Sequence, residues 1–166
     1  MNLTVGAVVV YSSHGVGRVA AREKRVVLGE EQEIVVLELA DGLTVSLPIE
    51  RAHEQLRALA TEAEIRQVRE TLREQPIASD RPWLSRQREA RAKLTDGDPL
   101  GLAEIVRDGA SRERTLIAKG TKTQLSSGER DVFVKARHLL STEIAHARGL
   151  EAAEADEWIE QQLTHA

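Results

Sequence analysis

The sequence predicts an α+β protein in which a small N-terminal β module precedes an all-α helical domain. The first observation is that the hydrophobic pattern changes from the period of strands to that of helices from about residue 54. The second is that only 2% of the 166 residues are aromatic, so Ala and Leu fill the apolar positions, as in helices packed through small side chains. We therefore place the β module at residues 1–55 and the helical domain at residues 56–166.

Residues 5–48 have the pattern of four or five short strands. V-G-A-V-V-V-Y at 5–11 is β-branched and apolar, and L-T-V-S-L at 43–47 alternates apolar and polar side chains. Asp41-Gly42 is a strong hairpin signal, and Pro48 closes the run. Because an isolated hairpin is only marginally stable, we expect these strands to form a strongly bent sheet or partial barrel.

Capping signals mark the helices of the second half. The signals are the capping boxes Thr61–Glu64 and Ser126–Glu129, the caps Asp80 and Asp98 with Pro82 and Pro99 in the following turns, and the stop Gly149. Segment 109–124 contains two Gly and three Thr, so its pattern fits either a frayed helix or an ordered loop.

Composition excludes several classes of protein. The chain has no cysteine, which rules out a disulfide framework and thiolate chemistry. It also has no secretory h-region and no apolar run long enough to span a bilayer. We expect a cytoplasmic protein without a membrane partner, and a monomer.

Charge is distributed unevenly along this acidic chain, whose net charge is −4. Residues 81–93 carry five basic side chains, whereas their only acidic residue is Glu89. The segment Glu151–Glu160 is acidic, without a basic side chain. Because a polyanion responds to the local potential, the basic segment keeps DNA binding possible despite the net charge.

Three patterns that resemble catalytic or cofactor motifs are better explained by structure. Ser12-Ser13-His14 is a polar turn in which neighbouring side chains rarely face each other. Glu50-x-x-His53 and Glu143-x-x-His146 have the spacing of di-iron ligands, but the first lies two residues after Pro48, at the end of a strand. We therefore expect no cofactor, and an enzyme with a metal or deep pocket near the two histidines is the least favoured class.

The two tryptophans have different surroundings. Trp158 lies among Leu150, Ile159 and Leu163 at helical spacing, which is typical of a packed terminal helix. Trp83 lies in the first turn of a helix among arginines, so two interpretations stay open on residue chemistry. It either anchors the core beneath a solvated basic face, or it is a wedge that pushes against a base step while arginines hold phosphates.

Five motifs, in order, resemble the CarD/CdnL family of bacterial transcription regulators. They are V-G-A-V-V-V-Y-S-S-H-G-V-G-R-V at 5–19, L-T-V-S-L-P at 43–48, P-W-L-S-R at 82–86, A-E-I-V-R-D at 103–108 and L-S-S-G-E-R at 125–130. The resemblance implies a Tudor-like (SH3-like) β module, similar to the RNA-polymerase-interacting module of transcription-repair coupling factors, that docks on the RNA polymerase β subunit. It assigns the polymerase contact to an edge strand of Thr44, Val45, Ser46 and Leu47, with Arg25 as a polar contact.

The same resemblance implies that the helical domain contacts promoter DNA in the minor groove at the upstream edge of the bubble, with weak sequence preference. It assigns the wedge to Trp83 and basic contacts to Arg86 and Arg88, and we add the neighbouring Arg81 and Lys93. The implied function is non-catalytic stabilisation of the open promoter complex, by a protein of the bacterial nucleoid. The alternative is a polymerase-binding adaptor that does not touch DNA and has Trp83 in its core.

The sequence departs from the family pattern in several places, among them Ala7 and Ser12, where Asp and Pro are usual in a turn, and two further positions. Ser46 stands where a basic residue is frequent, which affects the expected polymerase contact. Gly109 stands where an apolar residue is common and opens a longer segment than usual, so we expect one helix junction to be built differently.

Overall fold

A computed structural model describes residues 1–76, 81–120 and 125–165. Within them the chain forms two compact units, Met1–Leu59 and Ala60–Ala166. The first is a five-stranded antiparallel sheet and the second is helical, so the predicted fold class, a Tudor-like β module followed by an all-α domain, is confirmed. No helix in these residues is long and apolar enough to cross a membrane.

The sheet contains β1 (Val8–Tyr11), β2 (Gly15–Val27), β3 (Glu30–Leu39), β4 (Thr44–Pro48) and β5 (Leu56–Ala58), in the order β4-β3-β2-β1-β5. A register shift between Val19 and Ala21 places a bulge in the long β2–β3 pair, where an extra residue bends the sheet. One face covers a core that includes Val9, Val35 and Leu37. The tight turn after Leu39 uses Gly42 at φ +92°, as the hairpin signal predicted.

Two elements of the first unit were not expected from the sequence. A short helix, α1 (Ile49–Gln55), follows β4 and buries Ala52 against the sheet. β5 then pairs with β1, with Leu56 opposite Tyr11. The first compact unit therefore extends to Leu59.

The second unit consists of α2 (Glu62–Arg73), α3 (Trp83–Asp96), α4 (Pro99–Ala118), α5 (Ser127–Arg148) and α6 (Ala152–Thr164). Four of these helices build the core through small and branched side chains such as Val68, Ala103 and Ala136. Residues 109–118 continue α4, and Lys119 and Gly120 form a turn after it, so most of the described part of segment 109–124 is helical. Residues 121–124 lie outside the described residues.

The predicted capping residues differ in whether their side chains form cap hydrogen bonds. Thr61 and Glu64 form a complete capping box at α2. Asp98 precedes Pro99 as expected but makes no side-chain cap bond, and Pro82 occupies the cap position of α3. The cap predicted at Asp80 lies outside the described residues.

Candidate functional site

Helix α3 carries Trp83 and buries few of its side chains. Its only buried side chain is Gln87, and Ala90 and Leu94 are partly buried against the core of α2, α4, α5 and α6. It ends at Gly97, which adopts φ +73° and bonds its N–H to the carbonyl of Lys93. A helix that buries so little apolar surface has most of its side chains available for contacts outside the unit.

Trp83, the first residue of α3, is not sealed inside the helical core. The residue is 44% exposed. The indole Nε1–H donates to Glu129 Oε1 on α5 at 2.6 Å. The ring is therefore presented to solvent in a defined orientation, with its N–H edge turned toward α5.

Two of the predicted basic contacts are already engaged in ion pairs. Arg81 contacts Glu89 at 2.6 Å, and Lys93 contacts Glu104 at 2.5 Å and Glu89 at 3.6 Å. The hydrogen bond from Arg81 is the largest cause that lowers the pKa of Glu89, and Lys93 adds to it through its charge. These acidic partners offset much of the charge that Arg81 and Lys93 contribute to the surface.

The remaining basic residues of α3 divide by burial. Arg86 is half-buried, and its Nε is shielded from solvent without a hydrogen-bond partner among the described residues. Arg88 and Arg91 are exposed and form no ion pair with another described residue. Together with exposed Leu84 they follow the i, i+4, i+7 spacing of one helix face. The positive charge of α3 that no described carboxylate pairs therefore lies on this outer face and at Arg86, and it includes Arg91, which was not among the predicted contacts.

Sequence reasoning missed Glu129 and Arg112 as neighbours of Trp83. Arg112 Nε on α4 donates to Glu129 Oε2 at 2.8 Å, while Glu129 Oε1 accepts from the indole. The motif Ser126–Glu129 identified the glutamate only as a local cap. A contact across 46 positions in the chain leaves no local pattern, because it depends on how α3, α4 and α5 pack.

The predicted edge strand is the outermost strand of the sheet. β4 pairs with β3 on one side, and within the described residues no strand covers its other side. Thr44 and Ser46 are exposed and Val45 is half-buried, whereas the side chain of Leu47 is 6% exposed and belongs to the core. The backbone edge is thus open to a partner strand, and Leu47 can contribute only through its main chain.

Arg25 lies on the part of the β2–β3 ribbon that extends beyond β4. It is opposite Gln32 in the register, whereas β4 ends opposite Ile34. Its guanidinium is exposed and hydrogen-bonds Glu23 on the same strand at 2.8 Å through Nε. Arg25 therefore has a position outside the sheet core, from which a polar contact to a partner is possible.

The residues of the motifs that resemble catalytic or metal sites make contacts within their own units. Ser12 begins a 3-10 turn and donates its hydroxyl hydrogen to the carbonyl of Gln55, and the ring of His14 meets Tyr11 edge-on. Glu143 is 2% exposed and accepts from the backbone N–H of Ala60 at 2.9 Å.

The Glu-x-x-His pairs divide between the two compact units, and the residues described contain no cluster of metal-binding side chains. In the second pair, His146 Nδ1 lies 2.9 Å from the carbonyl oxygen of Thr142, one turn earlier in the same helix.

Trp158 lies at the border of the helical core, where it is partly buried. The guanidinium of Arg148 lies 5.1 Å from the centre of its ring. This tryptophan therefore packs against its own unit, as its helical spacing predicted.

Comparison with protein-family models gives two matches that follow one another along the chain. Residues 3–60 match the CarD-like/TRCF RID domain, and residues 67–160 match the C-terminal domain of CarD. The first match covers the β sheet with its open β4 edge, and the second covers the helices that carry Trp83, Arg112 and Glu129.

Proposed function

The chain belongs to the CarD/CdnL family of regulators that interact with RNA polymerase, and we propose that it stabilises the open promoter complex by carrying Trp83 to the opening DNA. In this proposal the β module docks on the polymerase β subunit. The helical unit then contacts promoter DNA at the upstream edge of the bubble, and no catalytic step is involved.

The observation that carries the proposal is the exposed indole of Trp83 at the start of a helix with uncompensated arginines. A side chain that wedges into a base step from the minor groove must unstack that step, which costs a few kcal/mol. The cost is lowest where the duplex is already opening. The indole therefore binds melted promoter more tightly than closed promoter, and a ligand shifts an equilibrium by its differential affinity.

Phosphate contacts supply the remaining DNA affinity. Arg88 lies on the outer face of α3 and Arg86 follows Trp83 at the i+3 position of the same helix, so we propose both as contacts to backbone phosphates near the wedge. Arg81 and Lys93 contribute less, since Glu89 and Glu104 already hold them. Phosphate contacts with one unstacking side chain carry little sequence information, which agrees with the weak sequence preference that the resemblance implies.

Docking through the β4 edge makes a weak DNA contact sufficient. An unpaired strand edge accepts a further strand from a partner through main-chain hydrogen bonds. Thr44, Val45 and Ser46 offer that edge, and Arg25 adds a charged contact on the neighbouring ribbon. Once the module is bound, the second contact becomes intramolecular and its effective concentration rises.

The adaptor without a DNA contact required Trp83 in the core. Trp83 is 44% exposed, which does not fit a core anchor, so the DNA-wedge function is the one we propose.

The test is the lifetime of open complexes formed by RNA polymerase with the parent protein and with Trp83→Ala. We expect the variant to bind polymerase normally but to lose a stabilisation on the order of 1–3 kcal/mol, the range for stacking a base on an aromatic ring. Trp158→Phe alters the other tryptophan, which is packed in its own unit, and should behave as the parent. A Trp83→Ala protein that lengthens the lifetime as well as the parent would falsify the proposal.

A further inference from the structure

Glu129 is the third helical residue of a capping-box motif, but its carboxylate binds side chains of other helices and not the cap residue. In a capping box the side chain of the third helical residue accepts from the backbone N–H of the cap residue. Here Ser126 Oγ accepts from the N–H of Glu129 at 3.3 Å, as expected. Among the described residues no reciprocal bond returns from Ser126 N–H to the Glu129 carboxylate. Half of the box is formed, and the carboxylate is free for another role.

That role is visible in the two bonds that the carboxylate does make. Oε1 accepts from Trp83 Nε1 on α3 at 2.6 Å, and Oε2 accepts from Arg112 Nε on α4 at 2.8 Å. The Glu129 side chain is 14% exposed, whereas its two partners, Trp83 and Arg112, are exposed at the surface, so the carboxylate is largely covered by the groups that it binds. A hydrogen bond to an ionised acceptor is roughly twice as strong as a neutral one. One side chain of α5 thus connects the first residue of α3 with the middle of α4.

We propose that Glu129 is the positioning residue for the Trp83 wedge, with Arg112 as its counter-ion. This inference rests on the function proposed above. Glu129 holds the N–H edge of the indole against the helical unit, so the rest of the ring is the part that meets DNA. Because the only polar atom of the indole is occupied, the wedge acts by shape and stacking and forms no hydrogen bond to a base.

Preorganisation is the physical reason why this matters. An exposed tryptophan in the first turn of a helix has access to more than one rotamer, and ordering it on binding costs conformational entropy. A ring that is already held has little of this entropy left to lose when it enters the base step. Arg112 has a second effect, because it neutralises a carboxylate that would otherwise repel the nearby phosphates.

The first experiment measures the hydrogen bond between Glu129 and the Trp83 indole in the free protein, without DNA or polymerase. The chain has two tryptophans, so a protein labelled with ¹⁵N-tryptophan gives two indole N–H signals, and Trp158→Phe assigns the one from Trp83. We expect Glu129→Ala to increase the solvent-exchange rate of the Trp83 indole N–H roughly tenfold, from the range for hydrogen bonds to charged groups. Glu129→Gln retains an acceptor oxygen at the same place and should change the rate much less.

The second experiment measures open-complex lifetime with the same variants. Glu129→Ala should lose most of the lengthening that depends on Trp83, while Glu129→Gln keeps most of it. The matched control is Glu64→Ala, because Glu64 occupies the corresponding position in the capping box of α2 and does not contact Trp83. It reports the effect of losing a first-turn glutamate on the stability of the unit, and its lifetime should equal that of the parent.

The outcomes separate this inference from the function on which it rests. If Trp83→Ala shortens the lifetime but Glu129→Ala changes neither the exchange rate nor the lifetime, Glu129 has no positioning role. If Trp83→Ala itself leaves the lifetime unchanged, the wedge is wrong, and the DNA-related role of Glu129 is wrong with it, whatever the exchange rate shows.

Discussion

The aromatic ring of Phe133 on α5 fills the space that Gly109 leaves on α4. A Cβ at Gly109 would lie 2.3 Å from Phe133 Cδ2 and 3.0 Å from two further ring atoms, far closer than a real contact. Gly109 is thus matched by a large side chain on the facing helix.

Gly109→Ala should destabilise the protein, although the same change normally stabilises a helix interior by about 1 kcal/mol. The added methyl group overlaps the ring, and overpacking a core costs typically 1–3 kcal/mol. Gly101→Ala is the matched control in α4, because its Cβ would lie 3.5 Å from Lys93 Cβ, an ordinary contact. Urea unfolding should show opposite signs for the two variants, and a more stable Gly109→Ala protein would contradict the packing described here.

Leu28→Asn should stabilise the β module. Leu28 adopts φ +52° at the tip of the β2–β3 hairpin, where a left-handed backbone costs a residue other than Gly, Asn or Asp roughly 1–2 kcal/mol. Its side chain is fully exposed, so no packing is lost on replacement. We expect a gain of about 0.5–1 kcal/mol in the free energy of unfolding, since Asn tolerates this conformation better. Leu43→Asn, at an exposed position outside the left-handed region, should change stability little by comparison.

Arg88→Gln should reduce the salt dependence of binding to a forked duplex more than Arg81→Gln does. Each neutralised phosphate contributes about 0.9 to the slope of log K against log salt for duplex DNA. Arg88 is exposed and without an ion pair among the described residues, whereas Arg81 is 2.6 Å from Glu89. Fluorescence anisotropy over a range of salt concentrations measures both slopes. Equal slopes for the two variants would show that the ion pair with Glu89 does not prevent Arg81 from contacting DNA phosphates.

Acid should weaken the helical unit as its paired carboxylates become protonated. The hydrogen bond from Arg148 is the largest cause that lowers the pKa of Glu62, and Arg81 has this effect on Glu89. A depressed pKa in the folded state contributes stability above the unfolded value, and that contribution is lost as pH falls through the folded value. The loss should therefore begin near the ordinary carboxyl pKa of 4.5 and continue below it.

Glu62→Gln tests this pH dependence. The variant should show a smaller decrease in its urea midpoint between neutral pH and acid than the parent. Glu70→Gln is the control, because Glu70 is an exposed glutamate of the same helix that forms no ion pair with another described residue. A parent-like acid response in Glu62→Gln would mean that the Arg148 pair does not contribute to acid stability.

Local sequence determined the order and type of most elements. Strands rich in β-branched residues, the Asp41-Gly42 turn, the box at Thr61 and the stop at Gly149 each act within a few residues, so their pattern is readable without the fold. The same holds for the family resemblance, since its motifs are contiguous. The helix α1 and strand β5 were missed because seven and three residues are too short to show a period.

Tertiary structure decided which of the candidate side chains are available for a partner. The sequence placed Arg81, Arg88 and Lys93 together as one basic segment, but only packing brings Glu104 to Lys93 and leaves Arg88 exposed on the outer face. The sequence also did not decide whether Trp83 lies in the core or at the surface. The hydrogen bond from its indole N–H to Glu129 depends on how α3, α4 and α5 pack together. Such contacts join residues far apart in the chain, so no local pattern encodes them and only the folded arrangement reveals them.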